Sequence, residues 1–208
     1  MNAILVFLYI FVIRIRSDIP IDSAMWVLGF LGIKLVFDRE FFRKLMGFIH
    51  NKYMINCITI YMLTLLWMII SILINGSKDY SFVVTYIHVF IQFVTGVVLY
   101  LYLKHIDDDK NIVNYLIIAF MIQTAIEWGG FLNPTFRAII QSTKSEYSLA
   151  RAEQYQGVRA LSLSGNEFFG VTVGYSFILL LFFSKRNTLF RDNLFLKYSS
   201  YIFLITGT

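Results

Sequence analysis

The chain has 208 residues, of which 58% are apolar, 18% aromatic and only 15% charged, where a soluble domain carries roughly a quarter charged residues. That deficit excludes an ordinary soluble enzyme, and the lone cysteine, Cys57, excludes a disulfide framework or a cysteine-built metal site. The apolar residues lie in continuous blocks, not in the apolar/polar alternation of barrel strands, so the class expected is an all-α, polytopic helical membrane protein.

A helix needs about 20 apolar residues to cross the roughly 30 Å hydrocarbon core. In chain order, the blocks predict a short helix over 1–13, then spans over about 20–37, 54–74, 81–103, 112–131 and 165–183, and a last apolar block over 194–208. The count is six to seven in one transmembrane domain. The first block lacks the basic start and small-residue cleavage site of a signal peptide, since Arg14 and Arg16 follow it, so a short membrane helix is expected. The last block stops at Ile-Thr-Gly-Thr208 inside what reads as a span, and the reading is a C-terminally incomplete chain. The segments 38–53 and 104–111 read as loops, with Asp107-Asp108-Asp109 a solvated turn.

The basic residues orient this layout. Lys34, Arg39, Arg43, Lys44, Lys52, Lys104, Lys110, Lys185, Arg186, Arg191 and Lys197 fall on one side, eleven of the 18. The other side holds Arg14, Arg16, Lys78, Arg137, Lys144, Arg151 and Arg159, four of them in one long loop. Basic residues in short loops mark the cytoplasm, so the N-terminus is expected inside and the 132–164 loop in the periplasm. The net charge of +5 is then topology signal plus attraction to anionic lipid, and calls for no nucleic acid. Within the long loop, Asn133-Pro134 reads as a helix start, and 135–156 as amphipathic helices on the membrane surface.

Polar side chains within a bilayer are costly and usually mark a pathway or a site. His88 and Gln92 are four apart in one span, and Gln123 and Glu127 are four apart in the next, with Trp128 beside them. Both pairs fall in the outer halves of their spans and could face each other across an outward-open cavity. The competing reading is an interhelical hydrogen bond of about 1 kcal/mol or less. Arg137 and Arg151, taken singly, read as surface charges that pair with lipid headgroups. Arg159 differs because Gly157 and Gly165 allow close backbone approach, while Ser162, Ser164 and Asn166 add donors. A helix starting near Asn166 would aim free N–H groups at the same place, a ready site for phosphate, whose oxygens an arginine fork matches bidentately.

The pattern Arg159-x-x-x-x-Ser164-Gly165-Asn166 before an apolar span resembles the "R…G…(P)N" segment of the bacterial O-antigen polymerase and ligase superfamily. The order of elements is similar too: short-looped spans, an Asn75-Gly76-Ser77-Lys78-Asp79 turn, a glutamine-containing span, then a long outer loop. The terminal Ile-Thr-Gly-Thr resembles the start of the family's "TG(S/T)RG" segment. The likeness covers most of the chain in layout and about 15 residues in motif. Gly165 stands where the family's proline is usual, and a second large outer loop is absent from the sequence. The resemblance implies a multi-pass protein of the bacterial inner membrane that joins sugar repeats carried on undecaprenyl pyrophosphate, with no cofactor and no metal. It implies Arg159 as the pyrophosphate-binding residue, with Arg137, Arg151, Ser164 and Asn166 assisting. Glu127 or His88 would activate the acceptor hydroxyl. Its partners would be the lipid-linked oligosaccharide, the bilayer and other polysaccharide-assembly membrane proteins, and this incomplete chain is expected to be inactive alone. Two further readings stand beside it: a lipid-linked oligosaccharide transporter or flippase, and a non-catalytic membrane fragment. Prolines only at the span edges, Pro20 and Pro134, argue against the broken helices of a transporter.

Overall fold

A computed structural model describes residues 1–11, 13, 22–76, 79–107, 109–142, 168–185 and 193–206. The regular elements among them are all α-helices: α1 (Asn2–Ile10), α2 (Ser23–Phe37), α3 (Arg39–Ile49), α4 (Lys52–Ile74), α5 (Ser81–Ile106), α6 (Asp109–Leu132), α7 (Pro134–Ser142), α8 (Phe168–Lys185) and α9 (Leu194–Thr206).

Asp and Asn side chains decide where the apolar blocks become helices. Asp22 accepts from the Met25 N–H at 3.0 Å, Asp38 from Phe41 at 2.9 Å and Asn51 from Tyr53 at 2.9 Å. Asp79 accepts from Ser81 at 2.9 Å, and Asn193 from Leu196 at 3.1 Å. Asn133 accepts from Thr135 at 2.9 Å and Phe136 at 3.2 Å, with Pro134 in the first helical position. Each such cap stabilises its helix by about 1 kcal/mol. The Asp22 cap also places the start of α2 at Ser23, three residues later than the hydropathy alone implies. At the far end of α4, Gly76 takes the left-handed conformation (φ 62°) and its N–H bonds Leu73 O, closing the helix as a glycine just past the C-cap does.

Among the described residues, three helices are long and apolar enough to cross a membrane: Lys52–Ile74, Ser81–Ile106 and Asn111–Leu132. At 1.5 Å per residue they reach roughly 33–39 Å. The 15 residues of α2 and 13 of α9 reach only about 20–22 Å. None of α4 is buried, and Ile60, Leu63, Leu66, Trp67 and Leu73 are all more than half exposed. An apolar surface of that extent is rare on soluble proteins; hydrocarbon is the solvent that suits it. By length and composition, these helices suggest a helical membrane protein.

The chain divides into two compact units, residues 1–27 with 106–208, and residues 28–105. The first is organised around α6, against which α1, α7, α8 and α9 pack. An aromatic row fixes the seam: Phe7 to Phe11 (ring centroids 5.3 Å), Phe11 to Phe120 (5.0 Å) and Phe120 to Tyr175 (4.8 Å). Gly174 admits Phe120, whose ring would stand 3.1 Å from a Cβ there. In the second unit Tyr61 of α4 stacks on Tyr86 and Phe90 of α5, and Phe41 of α3 packs on Tyr102 and His105.

Two expectations are corrected here. Residues 38–53 are not a loop: α3 occupies most of the segment, because the Asp38 cap starts a helix whose Phe41 and Leu45 bury on one face. Asp107, expected as part of a solvated turn, is tied into hydrogen bonds, while Asp108 lies outside the described residues. The Asp107 carboxylate accepts from Tyr115 Oη and, at 2.5 Å, from Asn111 Nδ2, and Asn2 Nδ2 reaches the same tyrosine at 3.4 Å.

Asp38 holds α3 from both ends of its carboxylate. One oxygen takes the Phe41 N–H, and the other lies 3.0 Å from His105 Nε2. Lys44 Nζ lies 3.0 Å from Nδ1 of the same ring and 3.1 Å from Glu40. The Phe41 N–H first, and His105 second, hold the Asp38 carboxyl below the ordinary aspartate value. A depressed folded-state value contributes stability above the unfolded value, and that contribution is lost as pH falls through the folded one. A nitroxide at Gly47, which has open space around its Cβ position, should therefore become more mobile as pH falls from 5 to 3. In Asp38→Asn the spectrum should already be mobile at pH 5; an unchanged acid response in that variant would remove Asp38 from the account.

Candidate functional site

The polar side chains buried in α6 form the best-defined candidate site among the described residues. Gln123 and Thr124 are fully buried, and Glu127 one turn on is half-buried. Gln123 Nε2 donates to Glu127 Oε1 at 2.9 Å, so the amide steadies the carboxylate on one face of the helix. On the adjoining face, Thr124 Oγ1 and Tyr175 Oη of α8 lie 2.8 Å apart, and both reach Phe120 O, at 3.1 and 3.3 Å. Two hydroxyls thus share one backbone carbonyl inside an otherwise apolar seam. Buried polar groups are tolerated in such a place only when hydrogen-bonded.

The end of α6 is built for close approach by α7. A Cβ at Gly129 would stand 2.9 Å from the Phe136 ring, so glycine there lets α7 turn back onto α6 beyond the Asn133–Pro134 corner. Ile140 is the buried contact of α7, and Arg137, one residue after Phe136, is half-buried. Glu127 lies five residues before the end of α6, about 7.5 Å along its axis. A carboxylate and an arginine therefore come from consecutive helices joined by one sharp turn. Trp128 meets Phe203 of α9, ring centroids 6.0 Å apart, and stays exposed on its other side.

His88 and Gln92 share a face of α5 in the second unit, both half-buried, whereas Gln123 and Glu127 belong to the first. Arg151, Arg159, Ser164 and Asn166 lie outside the described residues; α8 is described from Phe168, two residues after Asn166. Sequence reading missed Thr124 and Tyr175. The signal available was weak: two hydroxyl residues in apolar blocks, one of them beside Gly174. Among the described residues no group of three or more His, Cys, Asp or Glu could hold a metal ion. Comparison with protein-family models, curated proteins and solved structures finds no match to this chain.

Proposed function

We propose that the chain serves surface-polysaccharide assembly as a glycosyltransferase of the repeat-unit polymerase type, acting at the periplasmic face of a bacterial inner membrane. The observation that carries this reading is the Gln123–Glu127 pair, a carboxylate held in a membrane-length helix just before the corner that leads to Arg137. Beyond α7 the sequence continues into the Arg151 and Arg159 segment that resembles the polymerase and ligase superfamily. In this proposal the N-terminus is cytoplasmic, six to seven apolar helices sit in the bilayer, and 132–164 is periplasmic.

The chemistry follows from where charge moves. An acceptor sugar hydroxyl attacks the anomeric carbon of a glycan carried on undecaprenyl pyrophosphate. The new C–O bond forms as the bond from that carbon to the pyrophosphate oxygen breaks, and the electron pair leaves with the pyrophosphate. Glu127 takes the hydroxyl proton. Arg159 stabilises the charge on the leaving group, assisted by Arg137, Arg151, Ser164 and Asn166, which is the task for which a fixed cation is effective. The products are the lengthened glycan and undecaprenyl pyrophosphate. Neither a nucleotide sugar nor a cofactor enters this balance.

The test has two parts. In a Cys57→Ser background, a membrane-impermeant thiol reagent should label Ser145→Cys and spare Asp108→Cys in intact spheroplasts. The reverse pattern inverts the topology and removes Arg159 from any periplasmic substrate. The purified chain in nanodiscs should then bind undecaprenyl pyrophosphate more tightly than undecaprenyl monophosphate, by roughly tenfold for one added charge-assisted bond. Equal binding of the two would end the proposal.

A further inference from the structure

α3 is the helix of the second unit in which charged and apolar residues are interleaved. Its protein-facing side is settled by contacts: Phe41 and Leu45 are buried, Phe41 stacks on His105, and Lys44 and the Asp38 cap meet the same ring. The flank beside that buried side is apolar too. Phe42 is 48% exposed, Met46 lies one turn further on the same row, and Val36 and Phe37, just before the Asp38 cap, are 78% and 82% exposed. At about 100° per residue, the row of Arg39 and Arg43 runs directly beside that of Phe42 and Met46. Both arginines are exposed, and His50 continues the polar edge. Apolar and cationic residues are thus adjacent on the face that the protein leaves uncovered.

Position along the chain sets the depth. α3 ends at Ile49, and after the Asn51 cap the membrane-length α4 begins at Lys52. A helix two residues from the mouth of a span, with exposed apolar side chains running beside a cationic row, suits the plane of the bilayer surface. We infer that α3 is an interfacial helix that docks on acidic phospholipid, with Val36, Phe37 and Phe42 in the acyl boundary and Arg39 and Arg43 on the headgroup phosphates. Charge complementarity selects the occupant, since two exposed guanidinium groups flank the apolar surface and the acid on this helix, Glu40, is drawn to Lys44 at 3.1 Å. Asp38 and His105 keep the helix rolled so that this face looks away from the protein. The inference rests on the chain being a membrane protein and is independent of the polysaccharide reading.

The experiment uses the whole chain in a Cys57→Ser background, reconstituted into nanodiscs of phosphatidylcholine with or without phosphatidylglycerol. A nitroxide at Phe42→Cys should be more accessible to oxygen than to a water-soluble nickel chelate, and one at Gly47→Cys the reverse. After extraction from mixed vesicles, the purified chain should retain phosphatidylglycerol over phosphatidylcholine. Arg39→Gln with Arg43→Gln should lower that enrichment at least about fivefold, as expected for loss of cations beside an anionic surface. Arg39→Lys with Arg43→Lys should keep most of it, since the term is largely coulombic. Phe42 as open to the nickel chelate as Gly47, or unchanged enrichment in the double glutamine variant, would overturn the inference. The nitroxide reading needs no arginine substitution, so it decides even where the double variant folds poorly.

Discussion

Arg159→Ala should lower affinity for undecaprenyl pyrophosphate by roughly ten- to a hundredfold, the loss expected when a hydrogen-bonded charge pair is removed. Arg159→Lys should recover only part of it, because an ammonium is a point charge and cannot reproduce the planar two-pronged contact with phosphate oxygens. Arg137→Ala and Arg151→Ala should each cost less, as neither is flanked by glycines and donors in the way that Gly157, Ser164, Gly165 and Asn166 flank Arg159. Binding is read in nanodiscs against undecaprenyl monophosphate, whose affinity should fall much less in the alanine variant. An equal fall for both lipids would make Arg159 a general headgroup contact, and wild-type binding of the pyrophosphate would remove it from the site.

The membrane character was legible because it depends only on composition. Long apolar blocks between polar caps give helices wherever they lie, and the ends of α4, α5 and α6 fall within a few residues of the hydropathy blocks. What composition hides is a helix that is half polar. In α3 the residues Arg39, Glu40, Arg43 and Lys44 mask the 3.6-residue spacing of Phe41, Leu45, Phe48 and Ile49, and a window tuned to continuous apolar runs passes over it. The candidate site divides in the same way. Gln123 and Glu127 stood out as polar residues four apart in an apolar span, a local pattern, and they are hydrogen-bonded in the fold. Thr124 with Tyr175 joins positions 51 residues apart. No local pattern encodes that pairing, which arises only when Gly174 lets α8 close on the Phe120 ring.

That seam yields the largest stability effect expected in the first unit. Tyr175 is fully buried, its ring meets Phe120 edge-on at 4.8 Å, and its hydroxyl bonds both Thr124 and Phe120 O. Tyr175→Ala removes the ring and leaves a cavity between α6 and α8, a change that costs about 3–5 kcal/mol for large aromatic side chains. Tyr175→Phe keeps the ring and loses only the hydroxyl. Thr124 Oγ1 still bonds Phe120 O at 3.1 Å, so no donor is stranded, and the loss should be about 0.6 kcal/mol, the average for a hydrogen bond between membrane helices. Thr124→Val should resemble the phenylalanine variant, because the tyrosine hydroxyl keeps the same carbonyl. The measurement is the midpoint of an SDS titration in bicelles, followed by circular dichroism. A large downward shift for alanine with near-native midpoints for the other two would assign the seam to packing. Were phenylalanine as damaging as alanine, the paired hydroxyls would be what joins α8 to α6, and the polar face of α6 would carry structure as well as the proposed chemistry.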